Sequence, residues 1–265
     1  AGGALAAIAA NGISSPMVVE LESTYTAAGE TYPIVINQDA CITAVNTLTI
    51  RPDASTAAPL LISSNNTTAT MILNGGSNVI LDGRPGGSGT DKFLVIENTS
   101  STAGSAGNAL LLRNEATNNI VRYLDLRASN LNPANNAGTL VVGAVPGVVA
   151  IHSTSGTNGN DNNTITNCDI HSVGTSGNIL NVGVYAYNNT TVGSSANNDN
   201  NTITNCNFYN IFNAATATAG INVLVGNNNY NITNNSFYKY AAITYAYTGA
   251  VTHRMLWITP NASAV

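Results

Sequence analysis

Along most of the chain, apolar side chains come in short runs rich in Val, Ile, Leu and Thr, separated by clusters of Gly, Asn and Ser. Long stretches with helical spacing are absent, so the pattern predicts strands and turns. Within the runs the alternation is regular. In Thr164-Ile165-Thr166 and Thr202-Ile203-Thr204 the isoleucine falls on one side and both threonines on the other, because successive side chains of a strand point to opposite faces. Ile165 and Ile203 are therefore expected inside, and Thr164, Thr166, Thr202 and Thr204 outside.

These runs belong to a longer repeat. Asn162-Asn-Thr-Ile-Thr-Asn-Cys-Asp-Ile170 returns as Asn200-Asn-Thr-Ile-Thr-Asn-Cys-Asn-Phe208, and more loosely as Tyr230-Asn-Ile-Thr-Asn-Asn-Ser-Phe237. Asn167, Asn205 and Asn234 share a place, with Tyr123 and Gly83 at the same place further upstream, so the successive intervals are 40, 44, 38 and 29 residues. Constant cores joined by variable loops suit the coils of a parallel β-solenoid, in which no coil buries its apolar face alone. Propeller blades would each bring their own Trp or Gly-Gly signature, whereas the only tryptophan is Trp257.

The shared Asn is expected in a bend with left-handed backbone, which Asn tolerates and Gly adopts freely. Stacked coils lie about 4.8 Å apart, so Asn167, Asn205 and Asn234 are expected to form a ladder of side-chain amides. The same stacking brings Cys168 beside Cys206, expected as buried, reduced thiols packing as small hydrophobes in preference to a disulfide. Ile170, Phe208 and Phe237 turn back into the core.

Three further segments carry a resemblance. Asn46-Thr-Leu-Thr-Ile-Arg-Pro-Asp53, Ile72-Leu-Asn-Gly75 and Asn78-Val-Ile-Leu-Asp-Gly-Arg-Pro-Gly-Gly87 resemble the opening of right-handed parallel β-helix domains of the pectate-lyase-like superfamily. They are especially similar to those of large secreted surface proteins of Bacteroidetes bacteria. The Asn-Asn-Thr-Ile-Thr-Asn-Cys repeats and His253-Arg-Met-Leu-Trp-Ile258 continue the resemblance over nearly the whole chain. It implies an all-β, right-handed parallel β-helix, export, often by the type IX route, and display outside the cell. The C-terminal sorting domain usual in such proteins is not present, so that route is inferred. Residues 1–265 are read as a single domain, with 1–16 as an N-terminal cap and 251–265 as a C-terminal end segment.

Composition narrows the function classes. Charged residues make up 8% of the chain and the formal charge is −5, which excludes the clustered Lys and Arg that nucleic acid requires. About forty asparagines, several times the usual share, supply polarity without charge. No apolar run is long enough to span a bilayer, so no membrane insertion is expected. The start, Ala1 to Ala10, lacks a basic segment and reads as a mature product or an excised fragment. Three cysteines, Cys41, Cys168 and Cys206, make no disulfide framework; the redox state of Cys41 stays open.

Candidate chemistry is sparse. β-Helix enzymes that cleave sugars use paired carboxylates, or calcium held by carboxylates beside a base. Asp125 and Asp169 fall at equivalent places one coil apart, pointing outward with Arg122 and His171 near, and their column continues as Asn207 and Ser236. The plainer reading is solvated surface or a loose calcium contact, and no other cofactor is expected. His152, His171 and His253 show no metal-binding spacing, Gly83 to Gly89 lacks the Lys and helix of a phosphate loop, and no GxSxG motif occurs. The outward threonines form a hydroxyl-and-methyl array of the kind ice-binding solenoids present. Tyr185, Tyr187, Tyr209, Tyr238, Tyr240, Tyr245 and Tyr247 offer a second surface suited to sugar rings, about half of them expected to pack at coil ends.

The expectation is thus a non-enzymatic structural or adhesive protein of the bacterial surface. Its partners would be glycans, neighbouring domains of the same polypeptide, or other copies stacked end to end in a filament or sheath. The alternatives are a polysaccharide-binding or polysaccharide-cleaving protein acting through Asp125 and Asp169, and an ice-binding solenoid.

Overall fold

A computed structural model describes residues 3–102, 104–132, 145–153, 157–174, 179–188, 195–240 and 251–259. The chain is a right-handed parallel β-helix in which every strand pairing is parallel and joins places one coil apart. Three faces wrap a single core. The first face contains Met17–Leu21, Leu48–Pro52, Val79–Asp82, Ile120–Arg122, Thr164–Thr166, Thr202–Thr204 and Asn231–Thr233. The second contains Leu60–Ser64, Leu94–Asn98, Leu124–Ala128, Asp169–Ser172, Asn207–Tyr209 and Ser236–Tyr238. The third contains Ile34–Asn37, Ala69–Asn74, Asn108–Arg113, Val149–Ser153, Val182–Asn188, Thr218–Val223 and His253–Ile258.

Strand pairing matches the intervals read from the repeat. Asp82 faces Arg122, Arg122 faces Thr166, Thr166 faces Thr204 and Thr204 faces Thr233. Two earlier coils extend the same column through Arg51 to Glu20. Alternation then sets the core: Val79, Leu81, Val121, Ile165 and Ile203 are buried, each side chain contributing about 1.5–3 kcal/mol on leaving water.

Each letter of Asn-Asn-Thr-Ile-Thr-Asn-Cys has a separate task. The first Asn (Asn162, Asn200) and the third (Asn167, Asn205) both have positive φ, between 55° and 57°, and form the two corners that flank the first face. In this conformation their N–H groups point to the next coil: Asn162 donates to Asp199 O at 2.9 Å and Asn167 to Thr204 O at 3.2 Å. Asn234 and Tyr123 turn the same corner as Asn167. Gly83 does so without a left-handed backbone, which corrects the expectation. It is glycine because a Cβ there would lie 1.7 Å from Tyr123 O.

The amide ladder is real but sits at the second Asn. Asn167 spends its amide on Thr166 Oγ1 at 2.9 Å and Asn205 is exposed, so the corner residues build no column. Asn119, Asn163 and Asn201 are buried inside. Asn163 Oδ1 accepts from both N–H and Nδ2 of Asn119 at 3.1 and 2.9 Å, and Asn201 Oδ1 accepts the same pair from Asn163 at 2.9 and 3.1 Å. A parallel column runs Asn160, Asn198, Asn227. Tyr230, at the Asn place of the last coil, ends both: its hydroxyl accepts from Asn201 Nδ2 at 3.2 Å and donates to Asn227 Oδ1 at 2.9 Å.

Cys168 and Cys206 are buried free thiols, and burial pushes the Cys168 thiol above its ordinary value. The third face is apolar on both sides. Met71, Leu110, Val149 and Val184 face the core, while Ile72, Leu111, Ala150 and Tyr185 form a second cluster outside it with Val145 and Leu224. This leaves the first and second faces for solvent.

Three outcomes are expected in denaturant unfolding. Asn205→Gly leaves stability nearly unchanged, whereas Asn205→Val, which cannot rest with positive φ, costs about 1–2 kcal/mol. Asn163→Ala costs more, about 3 kcal/mol, because it strands the amide and backbone donors of Asn119 and the carbonyl of Ala116 in the interior.

Candidate functional site on the second face

On the second face, Leu124, Leu126, Ile170 and Phe208 turn inward, so the residues between them face out. Parallel pairing sorts these into two columns. Val95, Asp125, Asp169, Asn207 and Ser236 make one; Glu97, Arg127, His171, Tyr209 and Tyr238 make the other.

Asp125 and Asp169 face each other directly in register, an arrangement that like charges oppose. Each has its own side-chain partner. Lys92 Nζ lies 2.5 Å from Asp169 Oδ1, with both side chains about a quarter exposed, and Asn207 Nδ2 donates to the same oxygen at 2.8 Å. His171 Nε2 lies 2.7 Å from Asp125 Oδ1, while its Nδ1 lies 2.7 Å from the Ser172 carbonyl. Both ring nitrogens thus meet acceptor oxygens. Arg122, expected nearby, instead joins Arg84 around the buried Asp82, at 2.9 and 2.8 Å.

The second column is aromatic. His171 stacks on Tyr209 with ring centres 4.3 Å apart, Tyr209 stacks on Tyr238 at 5.2 Å, and Tyr240 tilts against Tyr209 at 4.8 Å. Tyr209 is nearly covered, whereas Tyr238 and Tyr240 are 43% and 51% exposed. Burial, then the charges of Asp169 and Asp125, raise the Tyr209 hydroxyl above its ordinary value. Burial and Tyr240 push Tyr238 to about 12. Both phenols remain donors at neutral pH. At the other end of the column, Arg127 Nε lies 3.3 Å from Glu97 Oε2, and Ser63 Oγ donates to Glu97 at 2.6 Å.

No family model matches this chain, and neither the curated proteins nor the solved structures contain a match.

Several expected site residues lie elsewhere. Tyr185 and Tyr187 are buried, at 0% and 3% exposure: the outward side of the third face is covered, so they pack in its second cluster and present nothing to a ligand. Tyr245 and Tyr247 lie outside the described residues. Thr164, Thr166, Thr202 and Thr204 do stand half-exposed on the first face. Their array is bounded by Ile120 and Arg122 on one side and Asn231 and Thr233 on the other, and Thr204 Oγ1 is bonded to Thr233 Oγ1 at 2.9 Å. His152 is buried with Nδ1 3.0 Å from the Tyr187 carbonyl, and burial lowers its pKa. Among the described residues, no three His, Cys, Asp or Glu side chains converge as a metal site would need.

Sequence reasoning missed Lys92, which lies in a loop outside the repeat, and the stacking of His171 on Tyr209. The second could have been found, since both sit two places after an aligned Asp or Asn. A double-mutant cycle tests the charge pairing. Lys92→Met is expected to cost less than about 1 kcal/mol at this partly exposed site. Asp169→Asn in that background recovers part of the loss, because Asp125 then faces a neutral neighbour.

Proposed function

We propose that this chain is a non-enzymatic structural and adhesive module, exported and displayed at a bacterial cell surface, that contacts glycans through the second face. The carrying observation is the aromatic stack of His171, Tyr209 and Tyr238, which ends in two exposed tyrosine rings beside polar acceptors and donors. Aromatic faces flanked by amides and carboxylates suit polyhydroxylated rings, which stack by their apolar side and hydrogen-bond by their edges. The resemblance of the opening coils to pectate-lyase-like surface domains supports the same class of partner.

Adhesion is favoured over turnover because Asp125 and Asp169 are each already engaged by a side chain of the same chain, His171 and Lys92. A polysaccharide lyase or hydrolase remains the second reading, carried by the adjacent carboxylates themselves.

A glycan array followed by a polysaccharide degradation screen separates the two. Binding without product release is expected. Tyr238→Ala combined with Tyr240→Ala should weaken it about tenfold, or 1.4 kcal/mol, with the thermal midpoint kept. Turnover abolished by Asp169→Asn in a folded protein would instead establish the enzyme.

A further inference from the structure

The two ends of the solenoid are finished differently. At the N-terminal end a helix, α1 (Ala4–Asn11), lies over the first coil. Ile8 packs there with Ile13, Ile42 and Leu48, and the outer side of the helix shows exposed alanines, Ala4, Ala6, Ala7 and Ala10. At the other end, among the described residues, each strand of the last coil pairs on one side only. Leu256 and Ile258 are 42% and 56% exposed, although their partners one coil earlier, Ile221 and Val223, are 0% and 5% exposed. Gly220 leaves a slot for Phe237, whose ring a Cβ there would meet at 2.4 Å. Beside them, Met255 stands 65% exposed.

The last coil is therefore closed in its polar columns and open in its apolar ones. Tyr230 has already ended both asparagine ladders, so what this end lacks, among the described residues, is a flat apolar cover and partners for its strand edges.

Charge indicates where that cover comes from. Residues 1–53 hold five acids, Glu20, Glu22, Glu30, Asp39 and Asp53, against the single base Arg51. Residues 200–265 hold no acid, and their only charged side chains of fixed sign are Lys239 and Arg254. The first coil is thus acidic and the last basic, and two copies in the same orientation bring opposite charges together. Two last coils facing each other would bring like charges together.

We propose that the occupant is a second copy of this chain, docked head to tail, with the last coil of one protomer against α1 and the first coil of the next. Such a contact is heterologous and does not close on itself, so it propagates into a polar filament. It is independent of the glycan reading, since it uses the ends of the solenoid and not the second face.

The experiment blocks one end at a time. Met255→Glu places an acid on the exposed last coil, facing the acidic head of the next copy, and Ala7→Arg places a bulky cation on the alanine face of α1. Circular dichroism and the thermal midpoint check that each variant is folded. Sedimentation velocity and electron microscopy across a concentration series then read assembly at low and high salt.

The unmodified chain is expected to form filaments that shorten as salt rises. Each variant alone should sediment as a monomer, and an equimolar mixture of the two should stop at the dimer. A monomeric unmodified chain at every concentration would overturn the proposal and leave the last coil to another occupant, such as further coils of a longer polypeptide. Dimers formed by Ala7→Arg alone would overturn it in favour of tail-to-tail contact. Filaments that persist in both variants would place the interface on another surface.

Discussion

The structure depends on parallel strand pairing between successive coils, which places every residue about 4.8 Å from the residue at the same place one coil away. Like therefore stands on like, and each column must be made of residues that tolerate their own company. Aliphatic side chains do so by burial, aromatic rings by stacking, and amides because each carries both donor and acceptor. Ionised carboxylates do not. This is why a chain with 8% charged residues can form long columns, and why each acid on an outward face comes with a partner: Glu20 with Arg51, Asp82 with Arg84 and Arg122, Asp125 with His171, Asp169 with Lys92.

Asparagine does two unrelated jobs within one motif, and the two depend on different properties. At the corners it is used for its backbone, because it accepts positive φ more readily than other residues with a side chain. Inside, it is used for its amide, which satisfies both the backbone and the side chain of the coil below. A corner asparagine can give way to tyrosine, as at Tyr123, or to a glycine held by close packing, as at Gly83. The inner column runs from Asn119 to Asn201: one coil earlier its place is taken by Val79, whose N–H donates to Asn119 Oδ1 at 2.9 Å, and one coil later by Tyr230, whose hydroxyl takes over the hydrogen bonds.

The second face shows what stacking does to a potential site. Two carboxylates brought together by register would repel, and the chain answers with a lysine from a distant loop and a histidine from the neighbouring column. The histidine in turn orders the tyrosines stacked above it. Ionic pairing and aromatic display are thus one construction, in which the charged part is internally balanced and the aromatic part is open to partners.

Much of the fold could be read from the repeat alone: the coil boundaries, the inward isoleucines, the corner residues and the facing of Asp125 and Asp169 all follow from local pattern and a constant register. The position of the amide ladder was not readable, because a run of three asparagines within seven residues does not say which points inward. That is decided by where the corners turn. Nor could sequence separate Tyr209 and Tyr238 from Tyr185 and Tyr187, since all four alternate along strands in the same way. Their fates differ because the third face is covered on its outer side, where Tyr185 and Tyr187 pack in one cluster with Val145 and Leu224, and the second is not. Local chemistry and periodicity thus determined the coil, while the packing of loops against faces decided which of its surfaces meet water.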